Sequence, residues 1–303
     1  MVVTRPDVER AATRIAAHVR RTPVLEDTPD LTLKLELLQH GGSFKARGAF
    51  NRILAAGDLP EAGVIAASGG NHGVGVAYAA RMLGVRAEIF VPEICAPVKV
   101  AGLRALGAHV TQTGAIYAEA YEASAKRAAE TGALEIHAYE HADVVAGQGT
   151  VGLELLEQTG AFDTILVAVG GGGLVAGITA ALDGAAGVVA VEPALIPTLH
   201  DALANGGPVQ VPVSGVAADA LGASRLGRVA YDTVAAAGIR SVLVGEDAIV
   251  EARDHLWRTY RIAAEHSGAT AMAALRSGAY TPAPGERVVV LVCGANTDPS
   301  TLA

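Results

Sequence analysis

The sequence predicts an α/β protein, and three observations carry the prediction. Apolar, strand-like runs alternate with helix-like segments nearly throughout, the pattern of parallel strands joined by crossover helices. Several runs, Thr164–Val169 and Arg287–Val292 among them, are apolar without alternation, as in strands covered by helices on both faces. Of the 303 residues, 51% are apolar and 18% charged, enough apolar chain for a substantial core and too little charge for a disordered one.

In chain order, the first helical pattern is Val8–Val19, with Thr4 and Asp7 spaced as a capping box before it. Strands are expected at Leu31–Leu35, Gly63–Ala67, Ala87–Val91 and His109–Gln112, with helices at Asn71–Leu83 and Ala115–Thr131. Further strands follow at Thr164–Val169, Val188–Val191, Ser241–Val244 and Arg287–Val292, with helices at Leu174–Leu182 and Ile249–Ala264. Gly- and Pro-rich punctuation at Asn205–Pro208 and Pro282–Gly285 marks surface loops, not domain boundaries. No internal repeat is present. The second domain is therefore expected as an insertion, residues 48–140, into a larger unit made of 1–47 and 141–303.

The 31 acidic and 23 basic side chains leave a formal charge of −8. Phosphate backbones are bound by basic patches, so this balance, with no Lys/Arg run, sets nucleic acid aside as a partner. Cys95 and Cys293 lie far apart without metal-ligand spacing, which suggests neither a disulfide framework nor a zinc site and fits a reducing compartment. Met1 to Asp7 has no apolar stretch behind a basic start, so no signal peptide is expected and the cytoplasm is the default location. Thr164 to Leu182 carries no charge and approaches the ~20 residues of a membrane span. Four consecutive glycines interrupt it, and a strand, a glycine loop and a helix account for the same residues without a membrane.

Three segments could carry chemistry. Gly170-Gly171-Gly172-Gly173-Leu174 lies between a strand and a helix, where bare backbone N–H groups and the helix N-terminus can cradle a phosphate. The same residues also fit a dinucleotide fingerprint, with Glu192 near the ~20-residue offset for a ribose-binding acid. An NAD-dependent oxidoreductase is the rival this pattern leaves open. In Gly41–Ala49, Ser43 could cap a helix that begins near Phe44, placing Lys45 in its first turn. A lysine there opposes the helix dipole, and buried against Phe44 its amine would deprotonate readily and could form a Schiff base. Ser68-Gly69-Gly70-Asn71-His72-Gly73 follows a strand and precedes a helix, a second cradle suited to a carboxylate.

Together and in this order, S-F-K-x-R-G-A, S-x-G-N-H-G, G-G-G-G-L and a small polar residue before Gly-x-Asn, these segments resemble the fold-type II pyridoxal-phosphate enzymes of the serine/threonine dehydratase and serine racemase family. The resemblance runs from about Arg21 to Asn296. It implies a tryptophan-synthase-β-like pair of open, twisted, mostly parallel sheets covered by helices, and pyridoxal 5'-phosphate as cofactor. Lys45 would hold the cofactor and move the substrate's α-proton, Phe44 would pack on the pyridine ring, and Asn71 would bond its 3-hydroxyl. Gly170, Gly171, Gly172, Gly173 and Leu174 would bind the phosphate. Ser68, Gly69, Gly70, Asn71 and His72 would receive the substrate carboxylate. Cys293 would face the pyridine nitrogen, where a neutral thiol leaves the ring a weaker electron sink than a carboxylate would. Glu265 would lie near the cofactor, although His266 replaces the family's proline, and Ala146–Thr150 would help to build the site.

Three departures bear on activity. Gly69 replaces the serine that protonates the opposite face in racemases, which disfavours racemization. The family's A-D-G turn is Ala218-Asp219-Ala220, whose added methyl changes the pocket. Metal-dependent members carry an acid six positions after a glutamate like Glu192, where this chain has Thr198, so no metal is expected and Glu192 could be a solvated strand-end carboxylate. The resemblance implies β-elimination of an L-hydroxy-amino acid, first of all L-threonine or L-serine, to a 2-oxo acid and ammonia by a homodimer. A racemase, a lyase for another β-hydroxy-amino acid and a noncatalytic module are the alternatives. The chain ends about ten residues beyond the Cys293 strand, so no regulatory domain and no response to isoleucine are expected.

Overall fold

Runs of β-branched and apolar residues form the strands, and the segments between them coil into helices. The structure, a computed structural model, describes residues 1–302. The elements begin with α1 (Arg5–Ile15), β1 (Val24–Thr28), β2 (Leu31–Lys34), α2 (Lys45–Ala55), β3 (Val64–Ala67), α3 (Asn71–Met82), β4 (Ala87–Val91), α4 (Pro97–Ala105), β5 (His109–Gln112), α5 (Tyr117–Thr131) and β6 (Leu134–Glu135). They continue with α6 (Ala142–Thr159), β7 (Thr164–Ala168), α7 (Gly173–Leu182), β8 (Gly187–Pro193), α8 (Thr198–Ala204), α9 (Ala218–Leu221), α10 (Arg228–Ala237), β9 (Arg240–Val244), α11 (Glu246–Tyr260), α12 (His266–Ser277) and β10 (Val288–Leu291).

Two sheets result, ordered β1-β2-β10-β7-β8-β9 and β5-β4-β3-β6. Their pairs are parallel except the β1–β2 hairpin, whose register shifts between Glu26 and Thr28. The exposed acids Glu26 and Asp27 make this short edge a poor template for further pairing. The smaller sheet's core takes Ile15 from α1 and Ala46, Ala49, Phe50 and Ile53 from α2.

The uncharged stretch Thr164–Leu182 is β7, a glycine turn and α7, and no described helix is long and apolar enough to cross a membrane. Thr4 donates from its N–H and its hydroxyl to Asp7 Oδ2, at 2.9 and 2.6 Å, and α1 starts there. It stops at Ile15, short of the expected Val19, and α11 stops at Tyr260 because Arg261 turns left-handed, with φ of 59°. Strands β1 and β6 and helices α4, α6, α8, α9, α10 and α12 were not expected, and α9 falls where a turn was expected at Ala218–Ala220. β1 is a half-exposed edge and β6 has two residues. α6 and α12 are buried through most of their lengths, so no polar face gives them helical periodicity.

α6 organises the site because glycines let two helices approach it closely. A Cβ on Gly147 would run into Arg47 O and the Gly48 Cα of α2, and one on Gly149 into the Gly177 carbonyl of α7. The starts of α2 and α7, which carry Lys45 and the glycine turn, are thereby held around one helix.

Beneath them lies a buried ionic network. Arg47 donates to Glu36 through Nε at 2.6 Å and Nη2 at 2.9 Å, and to Glu154 Oε2 at 2.9 Å. Lys34 Nζ donates to Glu154 Oε1, the Gln158 amide oxygen and Thr22 O at 2.6–2.7 Å. Burial works to raise Glu154, but Arg47 and Lys34 overcome it and hold the carboxyl below its usual range. Removing one partner leaves a buried charge without compensation. Arg47→Met is expected to cost about 3–5 kcal/mol in denaturant unfolding, and adding Glu36→Gln to recover part of it; a loss under about 1 kcal/mol, the range of solvated pairs, would refute the network's buried character.

Candidate active site

Parallel strands deliver their functional loops at their C-terminal ends, and here four such ends converge. β2 leads through two short turns to Lys45, β3 to Ser68–Gly73, β7 to the glycine turn and β10 to Cys293. β2, β10 and β7 are neighbours in one sheet. Ser43 pairs with Gly294 as an isolated bridge, and Phe44 N–H donates to Cys293 O at 3.3 Å. Ser43 is thus not the helix cap expected of it: Phe44 holds the N-cap position, and Lys45 opens α2.

The Lys45 amine donates to Ala138 O at 3.0 Å and lies 5.0 Å from the Phe44 ring centroid. Burial lowers it from 10.5 to about 8, against the opposing pull of Cys293 and Glu265. Among the described residues it has no carboxylate within ion-pair distance, so a nucleophilic amine stands in the cleft without a counter-anion.

The anion cradle is beside it. Gly172 has φ of 87°, a left-handed conformation suited to glycine. The N–H groups of Gly171, Gly172, Gly173 and Leu174 donate to no protein acceptor among the described residues. Thr198 Oγ1 donates to Gly170 O at 2.5 Å, and because C=O and N–H point oppositely across a trans peptide, the Gly171 N–H is turned away from Thr198. Unbonded donors at the start of α7 and a partly buried amine without a counter-anion together fit a cofactor that carries a phosphate and an aldehyde.

Glu192, the acid that a dinucleotide would need at its ribose, is fully buried rather than solvated. It accepts from Leu199 N–H at 2.7 Å, His200 N–H at 2.8 Å, Ser241 at 2.7 Å and Thr198 at 3.3 Å. Its carboxylate caps α8 and braces the glycine turn through Thr198, which leaves it unable to face a ligand.

In the second loop, Gly70 N–H donates to Ser68 Oγ at 3.2 Å, and a Cβ on Gly73 would strike the Ser68 carbonyl. The N–H groups of Asn71, His72 and Gly73 have no protein acceptor among the described residues, a second set of donors for an anion. The His72 ring donates to Ile136 O at 2.7 Å, and burial holds it down at about 3, so it is a neutral structural imidazole and only its backbone faces the loop. A Cβ on Gly69 would lie 2.7 Å from Cys95 Sγ, so that position holds a thiol's bulk where a hydroxyl would otherwise go.

The Asn71 amide donates to Glu265 Oε1 at 2.6 Å and accepts from Asn296 at 2.5 Å, stitching the loop to the larger sheet. Burial raises Glu265, against bonds from Ser267 and Asn71. Burial likewise pushes the Cys293 thiol up to about 12, so it stays neutral, and its Sγ lies 3.8 Å from Ser267 O.

Phe44, Lys45, Gly170–Leu174 and Cys293 line an inner cavity of 40 Å³. Lys45 and Ser68–His72 line an outer one of 560 Å³. Tyr139 lines both, and a Cβ on Gly171 would run into its ring. The sequence alone pointed to neither Tyr139, the Ala138 carbonyl nor Ser267, and gave Asn296 a place in a motif but no role. The one usable signal was an aromatic just ahead of Ala146–Thr150 in a chain with 4% aromatic residues.

Comparison with known proteins agrees with this geometry. The family model described as pyridoxal-phosphate dependent enzyme matches residues 15–294. The chain is 38% identical to phenylserine dehydratase of Ralstonia pickettii, over 99% of this chain and 96% of that one. It is 36% identical to L-threonine ammonia-lyase of Geobacter sulfurreducens, over 98% of this chain and 76% of that one. Among solved structures, maize serine racemase superposes with a TM-score of 0.91 at 33% identity, over 99% of this chain and 95% of that one. With the family model matching residues 15–294 and a TM-score of 0.91 over 99% of its length, the chain belongs to the pyridoxal-phosphate dependent enzymes of fold type II.

Proposed function

We propose that this protein removes water and then ammonia from an L-β-hydroxy-amino acid to give a 2-oxo acid, with L-serine and L-threonine the smallest substrates of the class. The observation that carries this reading is the partly buried Lys45 amine, bonded to the Ala138 carbonyl, without a counter-anion, and set between two loops of unbonded N–H groups. The dehydratase and ammonia-lyase names of its relatives support it.

In this reading Gly171 to Leu174 would hold the phosphate, Phe44 would pack on the ring, and the neutral Cys293 thiol would meet its nitrogen without charging it. Asn71 positions the ring's hydroxyl edge, with Glu265 and Asn296 fixing the amide. Pyridoxal phosphate, when bound, supplies the electron sink for the charge left on Cα. Lys45 Nζ takes the α-proton, and the Ser68–His72 loop orients the carboxylate through its N–H groups. Gly69 has no proton to offer on the opposite face, which favours elimination over racemization.

Residues 1–47 and 141–303 would hold the cofactor and 48–140 would close over the substrate. We further propose a homodimer in a reducing, cytoplasmic setting, a reading supported by the family resemblance and by two free thiols, Cys95 and Cys293.

Purified protein with pyridoxal phosphate should show a visible cofactor band that shifts on adding L-threonine or L-serine, with 2-oxo acid released. Lys45→Ala should lose the release entirely; turnover at the wild-type rate in that variant would overturn the assignment of Lys45. The pH dependence has a definite sign. With the amine lowered to about 8, cofactor capture by apoenzyme should quicken about tenfold per pH unit below 8 and level off above it. A rate still climbing tenfold per unit between about pH 8.5 and 10 would return Lys45 to an ordinary lysine.

A further inference from the structure

Tyrosine is sparse in this chain, 7 residues in 303, yet Tyr117, Tyr121 and Tyr139 gather on one side of the outer cavity. With His137 they form a continuous run of rings. Tyr117 stacks on Tyr121 with centroids 6.3 Å apart, Tyr121 meets His137 edge-on at 5.8 Å, and His137 meets Tyr139 edge-on at 4.8 Å. Tyr117 and Tyr139 line the cavity, while Tyr121 backs them against Ile65, Ala67 and Phe90. Tyr139 directly follows Ala138, whose carbonyl holds the Lys45 amine, so the run of rings begins one residue from the reacting centre.

The rest of the lining has the same character. Ile94, 80% exposed, and Tyr117, 51% exposed, open apolar surface into the cleft, an arrangement that marks a place where something apolar is covered. Among the described lining residues the cations are Lys45 and Lys99, and Lys99 is held by both oxygens of Asp219 at 2.6 and 2.8 Å. A substrate with a second carboxylate therefore finds no free cation there. Serine and threonine would leave the rings uncovered.

From the ring run and the charge-neutral lining we infer that the preferred substrate is a β-hydroxy-α-amino acid with an aryl group on its β-carbon, and that Tyr117 is a specificity-determining residue that stacks on that aryl group. This rests on the elimination reading above. The reaction balances without an oxidant: the Cα–H and Cβ–O bonds break, water leaves, and hydrolysis of the resulting enamine releases ammonia and an aryl-substituted 2-oxo acid.

The test compares kcat/KM for L-threo-3-phenylserine and L-threonine in the holoenzyme, in Tyr117→Ala and in Tyr117→Phe. Tyr117 is half exposed, so truncation leaves no buried void. The wild type should favour the aryl substrate by roughly tenfold or more, the scale of an aromatic contact together with the apolar area it covers. Tyr117→Ala should lower that ratio about tenfold, mainly through KM for the aryl substrate and with threonine little changed, whereas Tyr117→Phe should keep it. A preference for threonine, or a ratio untouched by Tyr117→Ala, overturns the inference and leaves elimination standing. Release of 2-oxo acid from neither substrate, nor from L-serine, overturns the elimination reading itself.

Discussion

The bidentate pairing of buried Arg47 with Glu36 is the contact on which the site depends. A guanidinium and a carboxylate removed from water are costly, and the cost is offset only where geometry and further hydrogen bonds are good. Here the fork is complete, Thr150 and Glu154 take further guanidinium protons, and Thr22 donates to Glu36 at 2.7 Å. Two cations and two carboxylates balance, so the cluster adds no net charge under the cleft. Because Arg47 is two residues after Lys45, the network that orders β2, α2 and α6 also fixes where the amine stands.

Around that amine the chain arranges complementary partial charges and leaves out the full one. The starts of α3 and α7 both present N–H groups without protein acceptors among the described residues, two regions of positive potential suited to anions. The lysine beside them, Lys45, is pushed toward neutrality by burial, and among the described lining residues the other cation, Lys99, is held by Asp219. Burial acts oppositely on acids: it raises Glu265 and keeps the Cys293 thiol protonated. One physical cause, desolvation, thus yields a nucleophilic amine and a neutral thiol in the same pocket.

The glycine turn shows how a remote residue controls a backbone donor. Thr198 hardly reads as functional in the sequence, yet its hydroxyl holds Gly170 O, and the planarity of the peptide carries that constraint to Gly171 N–H. Glu192 anchors α8 and Thr198 together. A carboxylate that looked like a ribose ligand is a structural brace, because four donors reach it first.

The alternation of apolar runs, the glycines of residues 170–173, Lys45 after Phe44 and the Ser68–Gly73 turn were all legible in the sequence. Each is a local requirement of strand, turn or helix start that a few adjacent residues meet by themselves. α6 and α12 were not legible, since helices buried on nearly all sides carry no polar stripe. The roles of Tyr139, Ser267 and Asn296, and the burial of Glu192, were not legible either. Asn296 reaches Asn71 across 225 residues and Ser241 reaches Glu192 across 49, while Tyr139 and Ser267 sit on segments that meet only when the two sheets pack. By itself the sequence determined the fold class, the amine and both anion cradles. Only the tertiary structure decided which polar groups those cradles leave unbonded, how far burial shifts the amine, and which rings line the outer cavity. Those properties come from desolvation and packing, which exist only after distant segments have met.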